Sequence, residues 1–291
     1  MPRDLAIGLI ATMLEERTGQ QLNPDRYWRV ESVLASLLRE RGMSSSDDLT
    51  VLLTQPEGSD LADDLVDGLL NNETYFFRDR NLFEKIAETI LPNLAQNRQD
   101  RRKLTIWSAG CASGQEALSL ALIFDEQRER WADWRIDITA TDISPTMIAQ
   151  ARRGFYTQFE IQRGLGVSQM MKHFKPVDGG WQASDALLAQ VRYQVRSVHE
   201  TPPFPGVFDL ILCRNMLLYF SDEIRSRTLN LLSGALADDG LLMLGGGETI
   251  QDFNQGLRPA PEGAGFYRKS PTRDGGHTKV LKRKDRNPVV G

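Results

Sequence analysis

The sequence predicts an α/β chain: a doubly wound, mainly parallel sheet carrying a small inserted β-subdomain and preceded by a small all-α N-terminal domain. Three observations lead there. From Met1 to about Leu70 apolar residues recur at helical spacing, with no alternating strand pattern. From Leu104 onward short apolar runs alternate with helix-periodic segments, the pattern of βαβ units. About forty residues, 155–196, interrupt that alternation, which is too many for a simple strand-to-helix connection. The length agrees, since 291 residues at about 100–200 residues per domain make two domains.

Within the N-terminal part, Tyr27, Val30, Leu34, Leu37 and Leu38 share one helix face while Arg29, Ser32, Ser36 and Arg39 fall opposite, and Gly42 marks the stop. The polar side of that helix reads either as a solvated face or as a docking face for a protein partner. Ser44–Asp48 is expected as a loop, with further helices at Leu49–Leu53 and Leu61–Leu70 and another near Asn81–Asn97. Next come a strand at Leu104–Ala109, a glycine turn, a helix at Glu116–Glu126, a strand at Ile136–Thr141 and a helix at Met147–Arg153. In the insert, Phe174–Val177 and Trp181–Ala183 flank Asp178-Gly179-Gly180 as a hairpin, and Gln190–Val195 adds a strand. Beyond it lie a strand at Phe208–Cys213, a helix at Asp222–Leu236, a strand at Gly240–Leu244, a loop at Gly256–Gly265 and a last strand at Phe266–Arg268. The resulting division is a helical domain over 1–70, an α/β domain over 71–270 with its β-subdomain at about 155–196, and a basic tail over 271–291, expected to be disordered.

Charge and composition exclude several classes. Lys and Arg number 35 against 39 Asp and Glu, a net charge of −4, which disfavours a nucleic-acid binder. No apolar run approaches the roughly 20 residues of a membrane span. Arg3, Asp4, Glu15 and Glu16 surround too short an apolar stretch for a signal peptide, so a cytoplasmic protein without membrane insertion is expected. Cys111 and Cys213 make no disulfide framework and have no neighbours at ligand spacing, so no metal is expected. The charge is unevenly spread: residues 1–70 hold six Arg against thirteen acidic residues, whereas 270–291 hold six basic residues against two acidic ones.

Four segments carry chemistry. In Trp107–Glu116 (WSAGCASGQE), Gly110 and Gly114 flank a strand-to-helix turn where the backbone can approach a ligand, and no Lys followed by Ser or Thr is present to grip phosphate. Glu116, in the first helical turn, either satisfies free helix N–H groups or holds a ligand ammonium. In ATDIS, Asp142 ends the second strand about 28 residues beyond the glycine turn, placed to accept hydrogen bonds from ribose hydroxyls or to cap the next helix, a role Ser144 also fills. Together these make a nucleoside site, with NAD and S-adenosylmethionine as competitors; a strict G-x-G-x-x-G, which would favour the dinucleotide, is absent. In NNETYFFRDR (71–80) the aromatics read as core tying the two modules together, and Arg78 beside them can fix a carboxylate bidentately. In CRNMLLYF (213–220), Arg214 and Asn215 leave a strand's carboxyl end, and Tyr219 shares a face with Asn215 if the segment is helical.

With NNETYFFRD, WSAGCASGQE, ATDIS, ARRGFY and FDLILCRNMLLYF in this order, residues 5–268 resemble the CheR-type chemoreceptor glutamate O-methyltransferases. The resemblance implies a Rossmann-like class I S-adenosylmethionine-dependent methyltransferase sheet with an inserted β-subdomain and a helical N-terminal receptor-docking domain. It implies methylation of glutamate side chains on cytoplasmic chemoreceptor helices, with S-adenosyl-L-homocysteine as the other product. Carried over, the cofactor contacts fall on Asn72, Thr74, Arg78, Glu116, Asp142, Arg214 and Asn215, with Gly110 in the glycine turn. Ser197 and Val198 occupy the place of a further pair, usually Asn-Leu in the family. Arg78 and Tyr219 are the catalytic candidates. Three departures stand out. Family members that grip a receptor's C-terminal tether peptide have a longer hairpin loop than Asp178-Gly179-Gly180. The usually basic second helix here carries Glu31, Ser32, Val33 and Ser36. Gly245-Gly246-Gly247-Glu248 replaces a segment that commonly has His-Ser before the Glu. A monomer independent of the tether is expected. The competing readings are a non-catalytic S-adenosylmethionine-binding signalling module and an enzyme of the same fold with another acceptor.

Overall fold

The computed structural model describes residues 3–43, 53, 55, 59–200, 202–204, 207–251 and 256–271. Its N-terminal helices are α1 (Arg3–Thr18), α2 (Tyr27–Glu40) and α3 (Ser59–Leu69). Ile10, Leu14, Val30, Leu37, Leu65 and Leu69 give them a core of their own. Arg29, expected on the polar face of α2, is half-buried: its Nη2 donates to the carbonyls of Leu70 (3.0 Å) and Gly68 (3.3 Å). Carbonyls at a helix end lack intrahelical donors, and a guanidinium satisfies two of them while fastening α2 to α3. The expected loop at Ser44–Asp48 and most of the expected helix at Leu49–Leu53 lie outside the described residues, as does the basic tail beyond residue 271.

The main sheet contains β1 (Lys103–Ala109), β2 (Arg135–Asp142), β6 (Val191–Val195), β7 (Phe208–Cys213), β8 (Leu236–Leu244), β9 (Leu257–Pro259) and β10 (Phe266–Lys269), in the order β6-β2-β1-β7-β8-β10-β9. The pairings from β6 to β8 are parallel, and β10 runs antiparallel to both β8 and β9. The alternation of side chains along a strand divides its apolar residues between two layers. Leu104, Ile106, Leu210, Leu212, Leu241 and Met243 pack into one core, and Trp107, Ala109, Ile211, Cys213, Leu242 and Leu244 into the other. The helices α4 (Gln115–Glu126), α5 (Pro145–Arg153) and α6 (Asp222–Ala235) provide crossovers that cover these faces. No helix among the described residues is long and apolar enough to cross a membrane.

Three expectations change. The insert forms a separate sheet from β3 (Phe155–Tyr156), β4 (Phe174–Val177) and β5 (Gly180–Ala183), in the order β3-β5-β4, with the hairpin where expected. Val191–Val195, grouped with it by sequence, is instead the β6 edge of the main sheet, registered from Ile138↔Val191 to Asp142↔Val195. Its alternation of buried Val191 and Tyr193 with exposed Arg192 says that one face is covered, not by which sheet. Leu257–Pro259, read as loop, pairs with β10; at three residues ending in Pro it is too short to show a period. Finally, Phe76 and Phe77 do not tie the two domains together. Phe76 meets Tyr156 and Phe174 of the insert edge-on, with ring centroids 5.0 and 5.6 Å apart, and Phe77 meets Phe83 at 5.5 Å. The polar segment before them is thereby anchored to the sheet domain.

Candidate active site

The carboxyl ends of β1, β2, β6 and β7 open into one cleft. Asn72, Thr74, Arg78, Gly110, Glu116, Asp142, Ser197, Val198, Arg214, Asn215 and Tyr219 all line it. Thr18, Gln20 and Leu70 from the N-terminal domain supply another wall.

Each side chain is held by its element's end. Gly110 leaves β1 with φ +77°, a conformation that glycine adopts without strain, and packs against the end of the Met216 side chain. Asp142 is 7% exposed at the end of β2. Its Oδ2 accepts from the Ala112 amide (2.8 Å) and its Oδ1 from the Ser144 amide (2.9 Å). Burial pushes its carboxyl up from the ordinary value while those amides pull it back. The helix-capping alternative goes to Ser144, whose Oγ accepts from the Met147 amide at 3.0 Å. Glu116 does not serve the helix end: Ser108 Oγ donates to its Oε1 (2.8 Å) and Arg214 Nη1 to its Oε2 (3.1 Å). Arg214, its side chain only 2% exposed, also donates to the Arg78 carbonyl (3.0 Å) and pairs with Asp79. That network draws the 71–79 segment onto the end of β7.

Arg78 donates to the Glu73 carbonyl (3.0 Å) and lies 5.6 Å from the centre of the Tyr75 ring. Tyr219 belongs to a single 3-10 turn, Leu217–Tyr219, and Asn215 sits at φ +57°, so the helical face expected from their spacing does not exist. What holds this loop is Glu248, on which sequence reasoning placed no role. Its Oε2 accepts from the amides of Asn215 (2.8 Å) and Gly245 (2.7 Å), its Oε1 from those of Met216 (2.8 Å) and Leu217 (2.7 Å). Asn71 Nδ2 donates to Tyr219 Oη, and Arg26 lies 5.2 Å from the centre of the Tyr219 ring. Ser197 Oγ and His199 Nδ1 share a 2.7 Å hydrogen bond. Backbone strain concentrates here: Phe77, Asp79, Ala112 and Asn215 all have positive φ, as functional loops often do.

The cleft is rich in acceptors. Besides the Asp142 and Glu116 carboxylates, Gln20 Oε1 and Asn215 Oδ1 are buried with no hydrogen-bond partner among the described residues. Such a wall suits a ligand that brings its own N–H and O–H groups, and a ribose diol, an amine-bearing base and an ammonium are such groups. Burial pushes the Cys111 and Cys213 thiols well up, so neither is a thiolate nucleophile at neutral pH. No metal-ligand cluster occurs among the described residues.

Residues 72–264 match the family model described as "CheR methyltransferase, SAM binding domain". The chain belongs to the CheR methyltransferase family. Among curated relatives, the Vibrio cholerae "Chemotaxis protein methyltransferase 1" is 33% identical over 240 residues, covering 81% of this chain and 86% of that protein. The Pseudomonas putida "Chemotaxis protein methyltransferase Cher2" is 32% identical, covering 81% and 87%. The Borreliella burgdorferi "Chemotaxis protein methyltransferase" is 31% identical, covering 80% and 84%. The family settles the competition between NAD and S-adenosylmethionine left open by the glycine turn: this is an S-adenosylmethionine-binding methyltransferase domain, and the acceptor-rich cleft suits that molecule's donors.

Proposed function

We propose that the protein transfers the methyl group of S-adenosylmethionine to glutamate side-chain carboxylates on the cytoplasmic helices of chemoreceptors, giving methyl esters and S-adenosylhomocysteine in chemotaxis adaptation. The observation that carries this reading is the pairing at the cleft mouth. Asn71 donates to the Tyr219 phenol oxygen, which leaves the phenol proton to be given to an incoming carboxylate oxygen. When bound, S-adenosylmethionine supplies a methyl made electrophilic by its sulfonium. A glutamate, with a reference pKa near 4.3, is already ionised at pH 7, so no residue has to act as general base. The chain's task is alignment and exclusion of water. Tyr219 positions the acceptor oxygen and Arg78 orients a carboxylate. Asp142 takes the ribose hydroxyls and Glu116 the ammonium. Asn72, Thr74, Gly110, Arg214 and Asn215 line the cofactor's path, with Ser197 and Val198 at its base end.

The 1–70 domain serves as the receptor-docking module of a monomer that does not require a receptor tether peptide. Its acidic charge implies a receptor face less acidic than a basic helix would seek. The deciding experiment is tritiated methyl transfer to chemoreceptor cytoplasmic fragments, followed by mild alkaline treatment. Release of the label as methanol marks carboxyl esters and is the expected result. Binding of S-adenosylhomocysteine without any transfer would replace the enzyme by a signalling module.

A further inference from the structure

We infer that Gln20, on the connection between α1 and α2, recognises the exocyclic amine of the cofactor's adenine and so fixes base specificity from outside the methyltransferase sheet. This inference rests on the reading that the cleft takes S-adenosylmethionine with its ribose at Asp142. Gln20 is 7% exposed, lines the cleft, and its Oε1 has no partner among the described residues. A buried amide oxygen left unpaired is costly, and a ligand N–H removes that cost.

Its surroundings identify the end of the cofactor it meets. Glu116, Arg78 and Arg214 gather beyond β1 and β7, and Asp142 ends β2. On the other side of β2 lies β6, so a nucleoside whose ribose sits at Asp142 extends its base toward the residues after β6. Gln20 sits where the chain after β6 meets α6: a Cβ on the adjacent Gly19 would lie 3.0 Å from Ile224 Cγ2 and 3.3 Å from His199 Nδ1. Its bridge partner Phe220 meets the His199 ring edge-on at 6.1 Å. There Ser197 Oγ is already engaged with His199, and burial lowers the affinity of His199 for a proton, which keeps its ring neutral. Gln20 Oε1 is then a neutral acceptor for a neutral amine. The connection between α1 and α2 is pinned to the loop after β7 by the Gln21 amide, which donates to the Tyr219 carbonyl at 2.7 Å. Base recognition thereby steadies the backbone that carries Tyr219.

Calorimetric titration with S-adenosylhomocysteine and S-inosylhomocysteine, which has a carbonyl where adenine has its amine, tests this without turnover. The wild-type chain is expected to prefer the adenosyl ligand by about tenfold or more, and Gln20→Leu to lose about tenfold in adenosyl affinity and bind both ligands alike. Gln20→Met, closer in shape and equally without an acceptor, repeats the test should Leu disturb the fold. Equal binding of both ligands by the wild type, or undiminished preference in the folded variants, overturns the inference while leaving the function standing. Binding of neither ligand by the wild type overturns both.

Discussion

Tyr219 is where a single atom separates the competing roles. Its oxygen accepts from Asn71 and its ring carries Arg26 at 5.2 Å, so the phenol is held as a donor at the cleft mouth. Tyr219→Phe keeps the ring and its packing but removes that donor. The expected outcome is a fall of about 100-fold in kcat with S-adenosylhomocysteine affinity unchanged, measured by methyl transfer alongside calorimetry. Undiminished transfer would remove Tyr219 from the chemistry. That Asp142, Glu116, Arg214 and Arg78 line one cleft was legible in the sequence because they sit at strand ends or beside distinctive runs. Asn71, Glu248 and Gln20 were not. Their partners lie 148, 31–33 and 200 residues away, as at the Gln20–Phe220 bridge, and no local spacing encodes such a meeting.

The loop after β7 shows what an element needs when helix hydrogen bonds are missing. Asn215, Met216 and Leu217 present their amides to Glu248 rather than to carbonyls one turn back. Glu248→Gln would keep the shape yet point an NH₂ group at two of those donors. Hydrogen bonds to charged groups are worth about 1.5–3 kcal/mol, so a loss of about 2–3 kcal/mol in stability is expected, with weaker cofactor binding. Thermal denaturation and calorimetry on the same variant check both, and unchanged affinity would show that the loop does not depend on the carboxylate. The hairpin of β4 and β5 bears on a different partner. Its turn is confined to Asp178 and Gly179, so little of it projects beyond the strands. A receptor tail peptide is expected not to bind in calorimetry, and tight binding would contradict tether independence. Continuous apolar runs such as FDLILC were readable from sequence because a strand covered on both faces buries all six residues. The sequence groups β6 with the insert because strand pairing is a long-range choice that the local pattern of side chains does not encode.

At the scale of the whole molecule, chemistry and stability occupy opposite ends of the sheet. The change from helical to alternating strand-and-helix periodicity was legible, whereas the closure of the cleft by Thr18, Gln20 and Leu70 was not, since it depends on how the N-terminal helices meet the sheet. Far from the cleft, Arg98 joins the amino ends of β7 and β8. Its Nε donates to Asp209 (2.7 Å) and its Nη1 to Asp239 (2.7 Å), while Arg101 Nη2 (2.9 Å) and the Thr105 amide (2.8 Å) also serve Asp209. Asp209 is fully buried and stays satisfied through three donors, so Asp239, half-exposed, is the member whose removal leaves no buried orphan carboxylate. Its hydrogen bond to Arg98 holds its carboxyl down at about 2, against an ordinary 3.8. A carboxylate whose folded value is depressed adds stability that is complete above its unfolded value and disappears as pH falls through its folded one. The difference in melting temperature between wild type and Asp239→Asn is therefore expected to be constant above about pH 5 and to shrink between about pH 4 and pH 2. S-adenosylhomocysteine affinity at neutral pH is expected to be equal in the two proteins, because the substitution lies at the end of the strands opposite the cleft. A gap that persists undiminished at pH 2 would mean that Asp239 acts through packing and not through its charge.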